Sequence, residues 1–268
     1  EEASAGANTI AAENSCPAYN GSAYDNVTSA FSTVYLQDIA ARLNGANQGL
    51  NLTESDAYNL FSWCAFEINV RGYSYMCDVF TEEELTKYAY YDDLTSYYEE
   101  GPGYDLIYDV GSNLFNASVK LLQQSEELDV KAWISFTHDT DIANLLASIG
   151  LFDNGVKLDP SYVPFRDLVY RKSWFTPQGA RLYTQKYQCS NESYVRYVLN
   201  DAVIPIESCS SGPGFSCPES DFYDYAAERM SGRDFYDACD VASVSNATEL
   251  TFYWDYTTPP YNATLLDQ

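Results

Sequence analysis

The chain of 268 residues contains one histidine, His138. Chemistries that need several imidazoles are thereby excluded, a multi-histidine metal centre and a metal-dependent His-Asp phosphohydrolase among them. Gly-x-Ser-x-Gly does not occur, which argues against a hydrolase built on a nucleophile elbow. The seven cysteines form no CxxC pair, so a structural zinc site has no ligand set. No apolar run approaches the roughly 18 residues that a membrane span needs. Basic residues are scarce, with 14 Lys and Arg against 39 Asp and Glu and a formal charge of −25. Such a surface is ill suited to hold a phosphate backbone, which argues against nucleic acid as a partner. It repels anionic substrates near neutrality, and less so below about pH 4.5, where carboxylates take up protons. An acid working pH and plain solubility both fit that charge. Residues 1–15 lack an initiator methionine and a charged-then-apolar leader. They are small and polar, and read as an exposed linker or as the new end left by proteolytic processing.

Seven Asn-x-Ser/Thr sequons stand at Asn20, Asn26, Asn51, Asn116, Asn191, Asn246 and Asn262. That number points to a glycosylated, secreted protein with those positions on its surface. Cysteines at 16, 64, 77, 189, 209, 217 and 239 then pair as disulfides in an oxidising compartment. Seven is odd, so at least one is free or bonds outside the chain.

The apolar spacing of Phe31, Val34, Tyr35 and Ile39 predicts a helix, and Asn51–Asp56 caps a second one over Ala57–Trp63. Thr81 with Glu82, Glu83 and Glu84 starts a third, whose tyrosines are expected to pack on one side and reach water with their hydroxyls. Gly101-Pro102-Gly103 breaks the chain, and Leu106–Gln124 resumes as helix. Residues 130–137 read as a buried strand. Ile142, Leu145, Leu146 and Ile149 give a helix that Gly150 ends. Strands over 181–187 and 194–199 are joined by a loop around 189–192, and Asp221–Met230 forms a short helix. The tail from Ala247 is irregular. A mainly helical region thus precedes an α/β region.

A strand ending at His138-Asp139 and feeding a helix places both residues at the carboxyl edge of a sheet, where α/β proteins bind ligands. The N–H groups of a helix starting near Thr140 favour an anion there. Imidazole can donate to a phosphate oxygen, and a protonated carboxyl can give its proton to a leaving alkoxide. A local cap is the structural reading of the same residues.

At these residues the sequence resembles the histidine acid phosphatases, above all the secreted acid phosphatases and phytases of yeasts. The likeness is carried by Phe136-Thr137-His138-Asp139-Thr140-Asp141-Ile142, by Ser173-Trp174-Phe175-Thr176-Pro177-Gln178-Gly179-Ala180-Arg181, and by Gly212-Pro213-Gly214-Phe215-Ser216-Cys217. It implies an α/β sandwich domain beside a mainly helical domain. Residues 16–125 would supply the helical domain and residues 126–268 the C-terminal part of the α/β domain. It also implies a phosphohistidine mechanism without a cofactor, in which His138 binds the phosphoryl group and Asp139 is the proton donor. Thr140 would touch substrate. The family's nucleophilic histidine stands in Arg-His-Gly, which is absent here, so an N-terminal chain of the same enzyme is the expected partner, in a heteromer. The resemblance pairs Cys16 with Cys239, Cys64 with Cys77 and Cys209 with Cys217, and directs Cys189 to the N-terminal part. A phosphate monoester such as inositol hexakisphosphate is the implied substrate, with Lys131, Lys157, Arg166, Arg171 and Lys172 as candidate pocket cations. The opposing reading is a non-catalytic secreted glycoprotein that keeps the fold without the nucleophile. Phytase against general acid phosphatase, and oligomeric state, stay open.

Overall fold

The computed structural model describes residues 11, 15–161 and 168–255. Most of the 1–15 linker, Arg166 and the sequon Asn262 lie outside them. The chain forms two compact units, one of residues 22–99 and 155–173, the other of the remaining stretches.

In the helical unit, α1 (Asp25–Ala46) buries Phe31, Tyr35, Ile39 and Leu43 at intervals of four. Helix α2 (Glu54–Arg71) begins at a reciprocal cap. The Thr53 N–H donates to Asp56 Oδ2 at 2.8 Å, and the Asp56 N–H donates to Thr53 Oγ1 at 3.3 Å. The helix ends at Gly72 in the left-handed region. Helix α3 (Glu82–Glu99) repeats the device with Thr81 and Glu84. Phe61 stacks between Phe80 and Tyr88, with ring centroids 3.8 and 4.5 Å away. The Cys64–Cys77 disulfide and a two-pronged Arg42–Glu84 contact, at 2.7 and 2.8 Å, close the layer.

The hydroxyls of the α3 tyrosines do not simply reach water. Tyr90 donates to the carbonyl of Asp159 and Tyr98 to that of Leu158. The Ser96 and Tyr170 hydroxyls share a hydrogen bond of 2.9 Å, and Asp93 Oδ1 accepts the Lys172 N–H at 2.7 Å. A segment with little regular structure has backbone groups that must find partners, and here side chains of α3 supply them. Asp93 is buried, and burial raises its pKa from 3.8 to about 7, against the opposing pull of the Lys172 N–H and of the Arg171 and Lys172 charges.

In the other unit, α4 (Leu106–Gln123) lies against α5 (Asp139–Ile149). The contact depends on Gly111, where a Cβ would stand 2.0 Å from the Asn144 carbonyl oxygen and 2.3 Å from Ser148 Oγ. Ser148 Oγ donates to the Tyr108 carbonyl at 2.7 Å across the same gap. This close approach puts α4 in the unit of the sheet, whereas the sequence groups residues up to 125 with the helical part.

The sheet is antiparallel, in the order β1 (Leu182–Cys189), β2 (Glu192–Leu199), β3 (Ala202–Ile204), and β4 (Cys217–Pro218) also pairs with β2. Instead of a four-residue loop, two residues join β1 to β2. Ser190 and Asn191 both take positive φ, at 53° and 70°, and Cys189 pairs directly with Glu192. That twist matches the strands. Asn200 and Asp201, at 50° and 68°, turn β2 into β3 in the same way. Helix α6 (Glu219–Met230) clamps the far end of α5. Arg229 donates to the Ala147 and Ser148 carbonyls at 3.0 and 3.1 Å, Tyr225 donates to that of Ile149, and Gly150 supplies the left-handed stop. Cys16 and Cys239 are bonded within a small core with Val110, Phe235 and Val241, and Cys209 is bonded to Cys217.

The expected buried strand is not formed. Residues 130–138 run outside any helix or strand, and among the described residues no strand pairs with them. Ile134 is 79% and Phe136 98% exposed. The apolar alternation is present, but burial also needs a neighbour on each side, which the local pattern does not encode. Among the described residues, His138-Asp139 therefore follows a segment outside any helix or strand and not the edge of a paired sheet.

Two outcomes follow from this packing. Gly111→Ala should lose more than about 2 kcal/mol in urea unfolding, because backbone must move to admit the methyl group. A loss below about 0.5 kcal/mol would mean that α4 and α5 pack loosely. Asp93 holds its proton more tightly in the folded chain than in the unfolded one, so stability falls as pH rises from about 4 to about 7. Asp93→Asn keeps the acceptor for the Lys172 N–H and should flatten that fall, a difference on the order of a few kcal/mol at pH 7. Equal urea midpoints for the two proteins at pH 4 and pH 7 would refute the assignment.

Candidate active site

His138 is the N-cap of α5, with extended backbone at φ −82° and ψ 164°, and Asp139, Thr140 and Asp141 form the first turn. The turn is held from inside by the buried Asp141. Its Oδ2 accepts the His138 N–H at 3.1 Å and the Thr137 hydroxyl. His138 and Asp139 are left exposed, and Thr140 is half-buried. An imidazole and a carboxyl thus stand side by side at the positive end of a helix, where anions are favoured. Cap, close α4 contact and Arg229 clamp together fix α5 at both ends and along its length.

This arrangement can bind a phosphoryl oxygen through His138 and deliver a proton from Asp139. It cannot by itself form a phosphohistidine and also keep an imidazole for binding, since the chain has one histidine. Asp141 was not among the residues expected at the site. An acidic residue three places after a helix N-cap is a capping signal, and Thr137-His138-Asp139-Thr140-Asp141 contains it. Nothing in the sequence singles out Asp93.

Of the candidate pocket cations, Lys131 is exposed in the unit of α5, where its ammonium donates to the Ser125 carbonyl. Lys157, Arg171 and Lys172 belong to the helical unit. Lys157 is exposed, while Arg171 and Lys172 are half-buried and act on Asp93. Cys189, at the end of β1, is half-buried and has no disulfide within the described residues. The sequon asparagines 20, 26, 51, 116, 191 and 246 are all exposed. Among the described residues, no group of three or more His, Cys, Asp and Glu side chains could hold a metal ion, and no helix is long and apolar enough to cross a membrane.

Known proteins share this chain's sequence and its fold. It is 62% identical to the repressible acid phosphatase of Saccharomyces cerevisiae over all 268 residues, which cover 57% of that protein. It is 46% identical to a phytase of Candida albicans, over 99% of this chain and 57% of that one. The crystal structure of the phytase from D. castellii matches with a TM-score of 0.89 at 46% identity, over 97% of this chain and 56% of that one. The helices and antiparallel sheet described above are therefore those of an α/β plus helical phosphatase fold, and the chain spans a little over half the length of these relatives. Residues 1–200 match the Histidine phosphatase superfamily (branch 2), and the chain belongs to that family.

Proposed function

We propose that the chain is the proton-donor portion of a secreted acid phosphatase or phytase that hydrolyses phosphate monoesters through a phosphohistidine. The observation that carries this reading is the corner of exposed His138 and Asp139 with half-buried Thr140, held by Asp141 at the start of α5. In the reaction, a histidine outside these 268 residues, in the Arg-His-Gly motif of the family, attacks phosphorus. His138 donates to a phosphoryl oxygen and Thr140 lies beside it. The P–O bond to the alcohol breaks, and Asp139 gives its proton to the leaving oxygen. Water then attacks the phosphohistidine, with Asp139 taking the proton back, which releases inorganic phosphate and the free imidazole.

The accompanying polypeptide, in the same chain or in a second one, supplies the nucleophile. Support comes from three sides. The relatives are nearly twice this length. The chain's single histidine cannot both attack phosphorus and bind the phosphoryl group. Segment 130–138 leaves Ile134 and Phe136 exposed, available to a neighbour. Secretion and glycosylation belong to the same proposal, supported by six exposed sequon asparagines and three disulfides.

With the full protein, Asp139→Asn should cut kcat on an alkyl phosphate by about 10²- to 10⁴-fold. An aryl phosphate, whose leaving group needs less protonation, should suffer much less. Equal losses on the two substrates would remove Asp139 from the donor role. Cys189, which has no bond within this chain, is assigned to a disulfide with the accompanying polypeptide. Peptide mapping without reductant should recover it in a mixed disulfide, and recovery as a free thiol would contradict the assignment.

A further inference from the structure

Three Asn-Gly pairs occur in the chain, at Asn20-Gly21, Asn44-Gly45 and Asn154-Gly155. Such a pair has an intrinsic reactivity. The side-chain carbonyl of an asparagine can close a five-membered ring with the backbone nitrogen of the next residue, and a glycine there puts no Cβ in the way. The folded chain treats the three pairs differently.

Asn44-Gly45 is withheld from this chemistry. It lies inside α1, where each Cα–Cβ bond tilts toward the helix N-terminus and away from the next nitrogen. The half-buried Asn44 amide is also held by Leu52. Its Nδ2 donates to the Leu52 carbonyl at 3.0 Å, and its Oδ1 accepts the Leu52 N–H at 2.8 Å. At Asn20-Gly21 the side chain of Tyr19 crowds the glycine, with its hydroxyl oxygen 3.5 Å from where a Gly21 Cβ would stand. Asn20 is also a sequon position, and a sugar on its amide nitrogen replaces a small leaving group with a large one.

Asn154-Gly155 is placed differently. It stands outside any helix or strand, and residues 154–157 are exposed in succession. Gly155 takes φ 71°, and a Cβ on it would meet nothing within 4 Å. The chain is anchored on either side of this exposed stretch. Before it, Phe152 stacks on Phe175 with centroids 5.3 Å apart, and the Tyr108 hydroxyl donates to Asp153 Oδ2 at 2.8 Å. After it, Leu158 is buried and its carbonyl accepts the Tyr98 hydroxyl at 2.9 Å. The stretch of one compact unit ends at Asn154, and the other unit resumes at Gly155.

We propose that Asn154-Gly155 is a site of spontaneous deamidation in the folded protein. The Gly155 nitrogen forms a bond to Asn154 Cγ, the bond from Cγ to the amide nitrogen breaks, and ammonia leaves with the Gly155 amide proton. Water then opens the resulting succinimide at either carbonyl, which yields aspartate or isoaspartate. Either product sets a new carboxylate beside Asp153. Isoaspartate also lengthens the main chain by a methylene between the two anchors.

Peptide mapping of the full protein, kept folded in mildly alkaline buffer, tests this. The peptide spanning 154–155 should gain about 1 Da and contain isoaspartate. Its rate should be at least about 10-fold above that of the peptide spanning 44–45, which has to open locally before it reacts. In the unfolded, deglycosylated protein the three pairs should react at like rates. Asn154→Gln, whose side chain would need a larger ring, should abolish the change and leave phosphatase activity intact. Equal rates at 154–155 and 44–45 in the folded protein overturn the proposal. So does an Asn154 amide that survives in the folded protein and is lost only on unfolding.

Discussion

The candidate site depends on one close contact between two helices. Without a side chain at Gly111, α4 lets the backbone of α5 come within the distance a methyl group would occupy. Ser148 uses that proximity to bond the Tyr108 carbonyl of α4. Arg229 and Tyr225 then satisfy carbonyls at the α5 C-terminus, groups that a helix end leaves without intrahelical partners. A helix held in this way transmits its position to its first turn. The placement of His138 and Asp139 is thus decided 10 Å or so along the helix from the residues that would do the chemistry, by the rise of about 1.5 Å per residue.

The helical unit is stabilised by a different rule. Residues 155–161 and 168–173 carry little regular structure, so their backbone groups draw on side chains of α3. Tyr90, Tyr98 and Asp93 each bind a backbone group there. An abundance of tyrosine is suited to this, since a ring can pack in the core while its hydroxyl reaches a carbonyl. The buried carboxyl of Asp93 makes the arrangement more stable when protonated than when ionised. The strongly acidic surface acts in the same direction, because its self-repulsion weakens as carboxylates take up protons.

How far the sequence discloses this structure depends on whether the signal is local. Helix ends are legible, since Thr53, Thr81 and Gly150 each act through neighbours three or four residues away. The β1–β2 hairpin is legible as an alternation, but its length is not. The left-handed pair Ser190-Asn191 is a two-residue solution that composition does not separate from a four-residue loop. Strands of two or three residues, β3 and β4, carry no period to detect. Asp141 could have been found from its capping position. Asp93 could not, because an acid beside Asp92 in a tyrosine-rich helix reads as surface, and its burial is set by residues some 80 positions away.

Segment 130–138 marks the boundary between these cases. Its alternation of apolar side chains is a statement about burial, yet Ile134 and Phe136 are among the most exposed large side chains of the chain. A strand is stabilised by pairing along its edges and by cover on its faces, and both come from elsewhere in a polypeptide. Helix α2 presents the same mismatch in another form, with a second apolar side that the folded unit does not use. In both places apolar side chains stand exposed among the described residues. Segment 130–138 leads directly into the turn that carries His138 and Asp139, so what covers it bears on that turn.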